Sequence, residues 1–157
     1  MKYFTAELLE QFRSQDDRLA EAATDEWEKR ADAYAAYLRS VRAQLPARLG
    51  ELLDNYYLHD AEIVCAASLE GEYQVNLKLA TPPHTSLLLA YKSVDTLEVL
   101  PPKANPPGPP AVAWLYDELE VETDKAVFKH SILLTNGWEL RISFRDFNFS
   151  TCRSNGP

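Results

Sequence analysis

The chain has 157 residues, 46% of them hydrophobic and 25% charged, and a formal net charge of −8. One globular domain is expected at that length and composition, able to bury about 68–70% of its unfolded surface. Both halves are acidic and no apolar run approaches the ~20 residues of a membrane span, which argues against nucleic acid, an anionic membrane surface or a transmembrane segment.

The opening "MKYFTAELLEQF" turns amphipathic and acidic where a signal peptide would be apolar. Thr5 has the character of an N-cap, with Phe4 and Leu9 at the two staple positions, so a short helix is expected over 6–12. Ser14, with Asp17 three residues on, caps a second start. Leu19, Ala23, Trp27, Ala31, Tyr34, Leu38, Val41 and Leu45 then recur at spacings of four or three, one stripe on a helix of about thirty residues. Pro46 ends that helix and opens a third, whose buried face would be Leu49, Leu52, Leu53 and Tyr56.

From Asp60 the period changes to two. Ile63, Cys65, Ala67 and Leu69 alternate with polar or small residues, as do Tyr73, Val75, Leu77 and Leu79, with Gly71 in the turn. "TSLLLAYKSV" and "DTLEVL" read as two further strands. "PPKANPPGPP" (101–110) cannot join a ladder. It reads as a stiff connector, with a polyproline ligand as the alternative. In "FKHSILLTNGWELRISF" a three-residue turn over Thr135, Asn136 and Gly137 opposes Ile132 to Leu140 and Phe128 to Phe144, matching apolar faces. A turn at Thr123-Asp124 would pair Glu118 with Lys129 and Asp117 with His130. The expected fold is α+β in a single domain over 1–157. A helical segment (1–57) packs on a mostly antiparallel meander of six or seven strands (58–151).

That register sets Asp117 against His130 on the apolar face, with Asp146 at the same parity. A carboxylate facing an imidazole can fix a catalytic tautomer or support a metal ligand. Asp117 and His130 are therefore the catalytic candidates, and His130, Asp117 and Asp146 the metal candidates. No Gly-x-Ser-x-Gly or His-Glu-x-x-His motif accompanies them, and a satisfied polar pair is the plainer reading. His59-Asp60 matches a dipeptide of binuclear hydrolases, but only His84 and His130 remain as further histidines. A helix end giving way to a strand explains it more simply. The five glycines form no phosphate loop, and Cys65 and Cys152 make neither a disulfide framework nor a metal spacing. No cofactor and a reduced, cytoplasmic setting are expected.

Trp114 and Tyr116 alternate onto the outer face of the meander with Glu118 and Glu120. Exposed aromatics edged by carboxylates make a partner-binding patch suited to a basic protein. Solubility alone also explains the acidity. "MKYFT", "LHDAEI", "WLYDELEV" and "ELRISFRDFNF" together resemble an uncharacterised bacterial family of unknown function. The resemblance implies a bacterial cytoplasmic protein and no particular activity. The leading expectation is a protein-binding module, of immunity or regulatory type. The alternatives are an acid/base or metal-dependent enzyme using Asp117 and His130, and a structural subunit self-associating through the long helix.

Overall fold

The computed structural model describes residues 1–81, 85–102 and 112–153. Most of the proline-rich stretch, and His84, lie outside the described residues. Among those described are three helices, α1 (Ala6–Phe12), α2 (Asp17–Val41) and α3 (Ala47–Asn55). Eight strands follow: β1 (Glu62–Leu69), β2 (Glu72–Lys78), β3 (Thr85–Lys92), β4 (Thr96–Leu100), β5 (Trp114–Glu122), β6 (Val127–Leu134), β7 (Glu139–Phe144) and β8 (Asp146–Arg153). The chain is α+β with its helices first. No described helix is long and apolar enough to cross a membrane.

The strands form two antiparallel sheets of four, β1-β2-β3-β8 and β4-β7-β6-β5, not one sheet of six or seven. Side-chain parity explains the correction. Leu140, Ile142 and Phe144 are buried at a spacing of two, and the next buried residue is Phe147. A step of three reverses which face is inward, so the chain breaks at Arg145 and enters the other sheet. Tyr91 to Val94 repeats the step between β3 and β4. The two crossings hold each other. The Asp95 N–H donates to the Ser143 carbonyl (2.8 Å), the Arg145 N–H donates to the Lys92 carbonyl (3.2 Å), and the Arg145 guanidinium meets the Asp95 carboxylate at 3.0 Å.

Among the described residues, the larger of two hydrophobic clusters lies between the sheets, and the smaller joins Leu9 of α1 to Leu115 and Leu133. Val75, Leu89 and Tyr91 meet Ile132, Ile142 and Phe144, and Leu49 and Leu52 of α3 join them. Arg48 of α3 donates to the Phe149 carbonyl on β8 (2.7 Å) and lies 4.2 Å over the Phe149 ring. Thr5 caps α1 as expected, accepting from the Leu8 N–H. The cap of α2 is Asp16 rather than Ser14, because the Asp16 carboxylate reaches the Arg18 and Leu19 N–H groups. At about 1.5 Å per residue α2 is roughly 37 Å long, and only part of its stripe is covered. Ala23 and Tyr34 are buried while Leu19 is 44% exposed. Farther along, the Tyr34 and Tyr37 hydroxyls accept the Leu119 and Val121 N–H groups of β5 (2.7 and 2.9 Å).

The β6–β7 hairpin has the expected register, with Ile132 opposite Leu140 and Phe128 opposite Phe144. Gly137 sits at φ +79°, which a branched side chain adopts only under strain. Gly137→Val should cost about 1–3 kcal/mol, and Gly137→Asn clearly less. Urea midpoints check this, and equal midpoints for the two variants would contradict the turn.

Two expectations about faces and one about register fail, each for a local reason. A bulge between Ile63 and Cys65 turns Cys65, Ala67 and Leu69 outward and sets Ala66 and Ser68 opposite the buried Val75 and Tyr73. The β5–β6 turn is longer than expected, a 3-10 turn over Thr123–Lys125 followed by Ala126 at φ +49°. Leu119 therefore faces His130, Asp117 faces Ile132 and Glu120 faces Lys129. A second bulge, between Trp114 and Tyr116, sends Trp114 to the core side.

Candidate functional site

The β5–β6 ladder is two residues out of the expected register, but a shift of two preserves which face each residue occupies. Asp117 and His130 consequently still meet, diagonally, with His130 Nε2 3.0 Å from Asp117 Oδ2. The second carboxylate oxygen accepts the indole N–H of Trp114 (2.9 Å). On the other side of the ring, Tyr91 Oη lies 2.9 Å from His130 Nδ1. Tyr91 belongs to the opposite sheet, so the chain Tyr91–His130–Asp117–Trp114 ties both sheets together through hydrogen bonds. Trp114 also packs edge-on against the imidazole, ring centres 5.4 Å apart.

The protonation pattern follows from the partners. Burial by itself would raise the Asp117 pKa, but the hydrogen bonds from His130 and Trp114 and the imidazole charge outweigh it and carry the carboxyl below its ordinary value. An ionised carboxylate only accepts, so His130 donates its Nε2–H to Asp117, and its Nδ1 is engaged by the Tyr91 hydroxyl. Burial first, and then the Asp117 charge, push the Tyr91 phenol well above its usual value, which keeps it a hydroxyl. His130 is 1% exposed and has both nitrogens engaged.

The sign of the pH effect is fixed by that depressed carboxyl. It stabilises the fold above the unfolded value of about 3.9, and the stabilisation is lost as pH falls through the lower folded value. Unfolding free energy should drop below about pH 4, and Asp117→Asn should flatten that limb. An unchanged acid limb in the variant would count against the network.

Asp117 is the member of this network that reaches solvent, its side chain 22% exposed. It lies at the base of a groove of about 250 Å³ whose lining includes Leu53, Tyr56, Tyr57, His59 and Tyr116. His59 falls in the turn after α3, whose last residue is Asn55, not at the helix end. Its Nδ1 lies 2.5 Å from the Leu115 carbonyl, so Nδ1–H donates there and Nε2 is left at the rim, 3.7 Å from Asp60 Oδ2. Asp60 itself adopts φ +63°, and its N–H donates to the Trp114 carbonyl. The His59 ring stacks obliquely on Tyr116 (5.1 Å) and Tyr57 (5.8 Å). Burial raises the Tyr116 phenol, helped by Tyr57 beside it.

No protein family model matches this chain. A search of curated proteins finds no match either.

The expected partner-binding patch does not form an exposed face. Trp114 is fully buried and Glu118 is 1% exposed. The Glu118 carboxylate accepts the backbone N–H groups of Lys2 (2.6 Å), Tyr3 (2.6 Å) and Phe4 (2.5 Å), so it anchors the N-terminal segment over β5. Tyr116 is half-buried against Trp27 and Phe4, ring centres 4.3 and 5.6 Å away. Glu120 lies in an open depression on the outer face of the second sheet, opposite Lys129. Charges there compensate one another, with Lys125 and Lys129 on Glu122 and Arg141 on Glu139.

Asp146 does not join Asp117 and His130. It starts β8 in the other sheet, where its carboxylate accepts the Phe147 N–H. Among the described residues no three His, Cys, Asp or Glu side chains come together as a metal site. Sequence reasoning missed Tyr91, the donor role of Trp114 and the groove aromatics. "YYLHD" did carry two of those aromatics beside His59, at the point where the period changes.

Proposed function

We propose that the protein is a binding module whose groove takes a cationic side chain of a basic protein partner, the cation meeting Asp117 between Tyr57 and Tyr116. The observation that carries this reading is one carboxylate, fixed by two donors and kept ionised, at the base of an aromatic-walled groove. About 250 Å³ falls below the roughly 300–1,000 Å³ of small-molecule pockets and suits a single long side chain. Aromatic faces attract a cation that has lost part of its water, and the net charge of −8 favours encounter with a basic partner. An immunity or regulatory protein is the biological form this chemistry fits. The acid/base alternative has less support, because His130, although it also lines the groove, has both ring nitrogens engaged by Tyr91 and Asp117.

Arginine amide is a sufficient probe. Its titration should shift the amide and ring resonances of Tyr57, His59 and Tyr116 saturably, while norleucine amide should not. Tyr57→Ala should weaken the effect about two- to fivefold, as expected of an exposed cation–π contact of about 0.5–1 kcal/mol. Equal shifts from both amides would show that the groove does not read charge.

A further inference from the structure

The sheet edges differ in how they are closed. On β5, Tyr34 and Tyr37 accept the outward N–H groups of Leu119 and Val121. On β8, Arg48 occupies the Phe149 carbonyl. β4 has only five residues, with Glu98 at its centre. Short, charged or covered edges are how sheets avoid pairing with foreign strands.

Among the described residues, β1 follows none of these rules beyond its first two residues. Glu62 bridges Ala113, and the Ile63 N–H donates to the Val112 carbonyl (2.9 Å). A bulge in the β2 ladder follows Ile63. From residue 64 to 69 the strand pairs β2 on one side and, among the described residues, makes no backbone bond on the other. The segment reads Val-Cys-Ala-Ala-Ser-Leu, with no charge and no proline. All six residues are exposed, Val64 at 55% and Leu69 at 54%. Six residues give roughly 20 Å of open ladder.

We infer that residues 64–69 of β1 are a docking edge for an extended segment of a partner protein, apolar or small at its centre and carrying Lys or Arg at its ends. Charge selects that occupant. Glu62 and Glu70 are exposed at the two ends of the uncharged stretch, and a strand with basic flanks meets both. A second copy of the chain is disfavoured by the same residues. Antiparallel self-pairing centred on Ala66 opposes Glu62 to Glu70 at both ends, and like charges directly opposite destabilise a ladder. Backbone hydrogen bonds would supply affinity and the alternating side chains selectivity, as in strand addition generally. This inference does not depend on the groove over Asp117.

A library of short random peptides selected on the intact protein, followed by amide exchange of the best binder's complex, tests it. Enriched peptides should place Lys or Arg on either side of a β-branched or small centre. Amides within 64–69 that face away from β2 should exchange quickly in the free protein and slowly with peptide. Ala67→Lys, on the exposed outer face, should weaken binding about tenfold, and the double variant Glu62→Lys, Glu70→Lys similarly. Tyr57→Ala should leave it unchanged, which separates this edge from the groove. The inference is overturned if no peptide is enriched, or if protection appears elsewhere. It is also overturned if those amides are already slow in the free protein, or slow with protein concentration alone, which would make the occupant the chain itself.

Discussion

Glu118→Ala should lower stability by about 3–5 kcal/mol, a large fraction of the roughly 5–15 kcal/mol that holds a domain together. The substitution leaves three backbone N–H groups without their acceptor. The Lys2 and Tyr3 groups partly recover by hydration, whereas Phe4 is 7% exposed and its N–H stays dry. At about 2–4 °C per kcal/mol for a chain of this size, the melting temperature should fall by roughly 10 °C. Glu118→Gln keeps one acceptor oxygen and sets an NH₂ against a donor, so an intermediate loss is expected. Amide exchange should locate the damage at residues 2–4 and in α1. A melting temperature within about 2 °C of the wild type would show that the carboxylate does not anchor the segment.

Trp114→Ala should be of similar size, about 3–5 kcal/mol, because it empties a fully buried site between the sheets. Trp114→Phe restores most of the volume but not the N–H to Asp117, and should cost about 1–2 kcal/mol. The pH profile separates the two contributions. Without the indole donor the Asp117 pKa rises toward its ordinary value, so both variants should also lose part of the acid limb. Loss of stability in Trp114→Ala with the acid limb intact would mean that the indole fills space and does nothing to the carboxylate.

What the sequence revealed and what it hid follow a physical pattern. Local signals worked. Thr5 is a cap because its hydroxyl reaches three residues ahead, and Gly137 marks a left-handed position that the hairpin requires. The Asp117–His130 contact survived a register error of two because parity, not register, sets the face of a strand. The bulges at Val64 and Leu115 were invisible, since neither segment carries a glycine or any other residue that needs unusual dihedrals. One inserted residue was enough to move Trp114 from the surface to the core. The split into two sheets was legible, by contrast, in the three-residue steps from Tyr91 to Val94 and from Phe144 to Phe147. Glu118 was hidden for a different reason. Its partners lie 114 to 116 residues away, and an acidic residue on a strand looks the same whether it faces water or folds over backbone donors.

The central claim is that an ionised Asp117 waits at the base of the groove for a cation. Carbon-detected titration of the Asp117 carboxyl, with and without saturating arginine amide, measures it directly. The expected result is a carboxyl that titrates below the ordinary aspartate value in the free protein and lower still with the cation bound, since a positive charge favours the ionised form. A carboxyl that titrates at or above the ordinary value, or whose titration ignores arginine amide, would contradict the account.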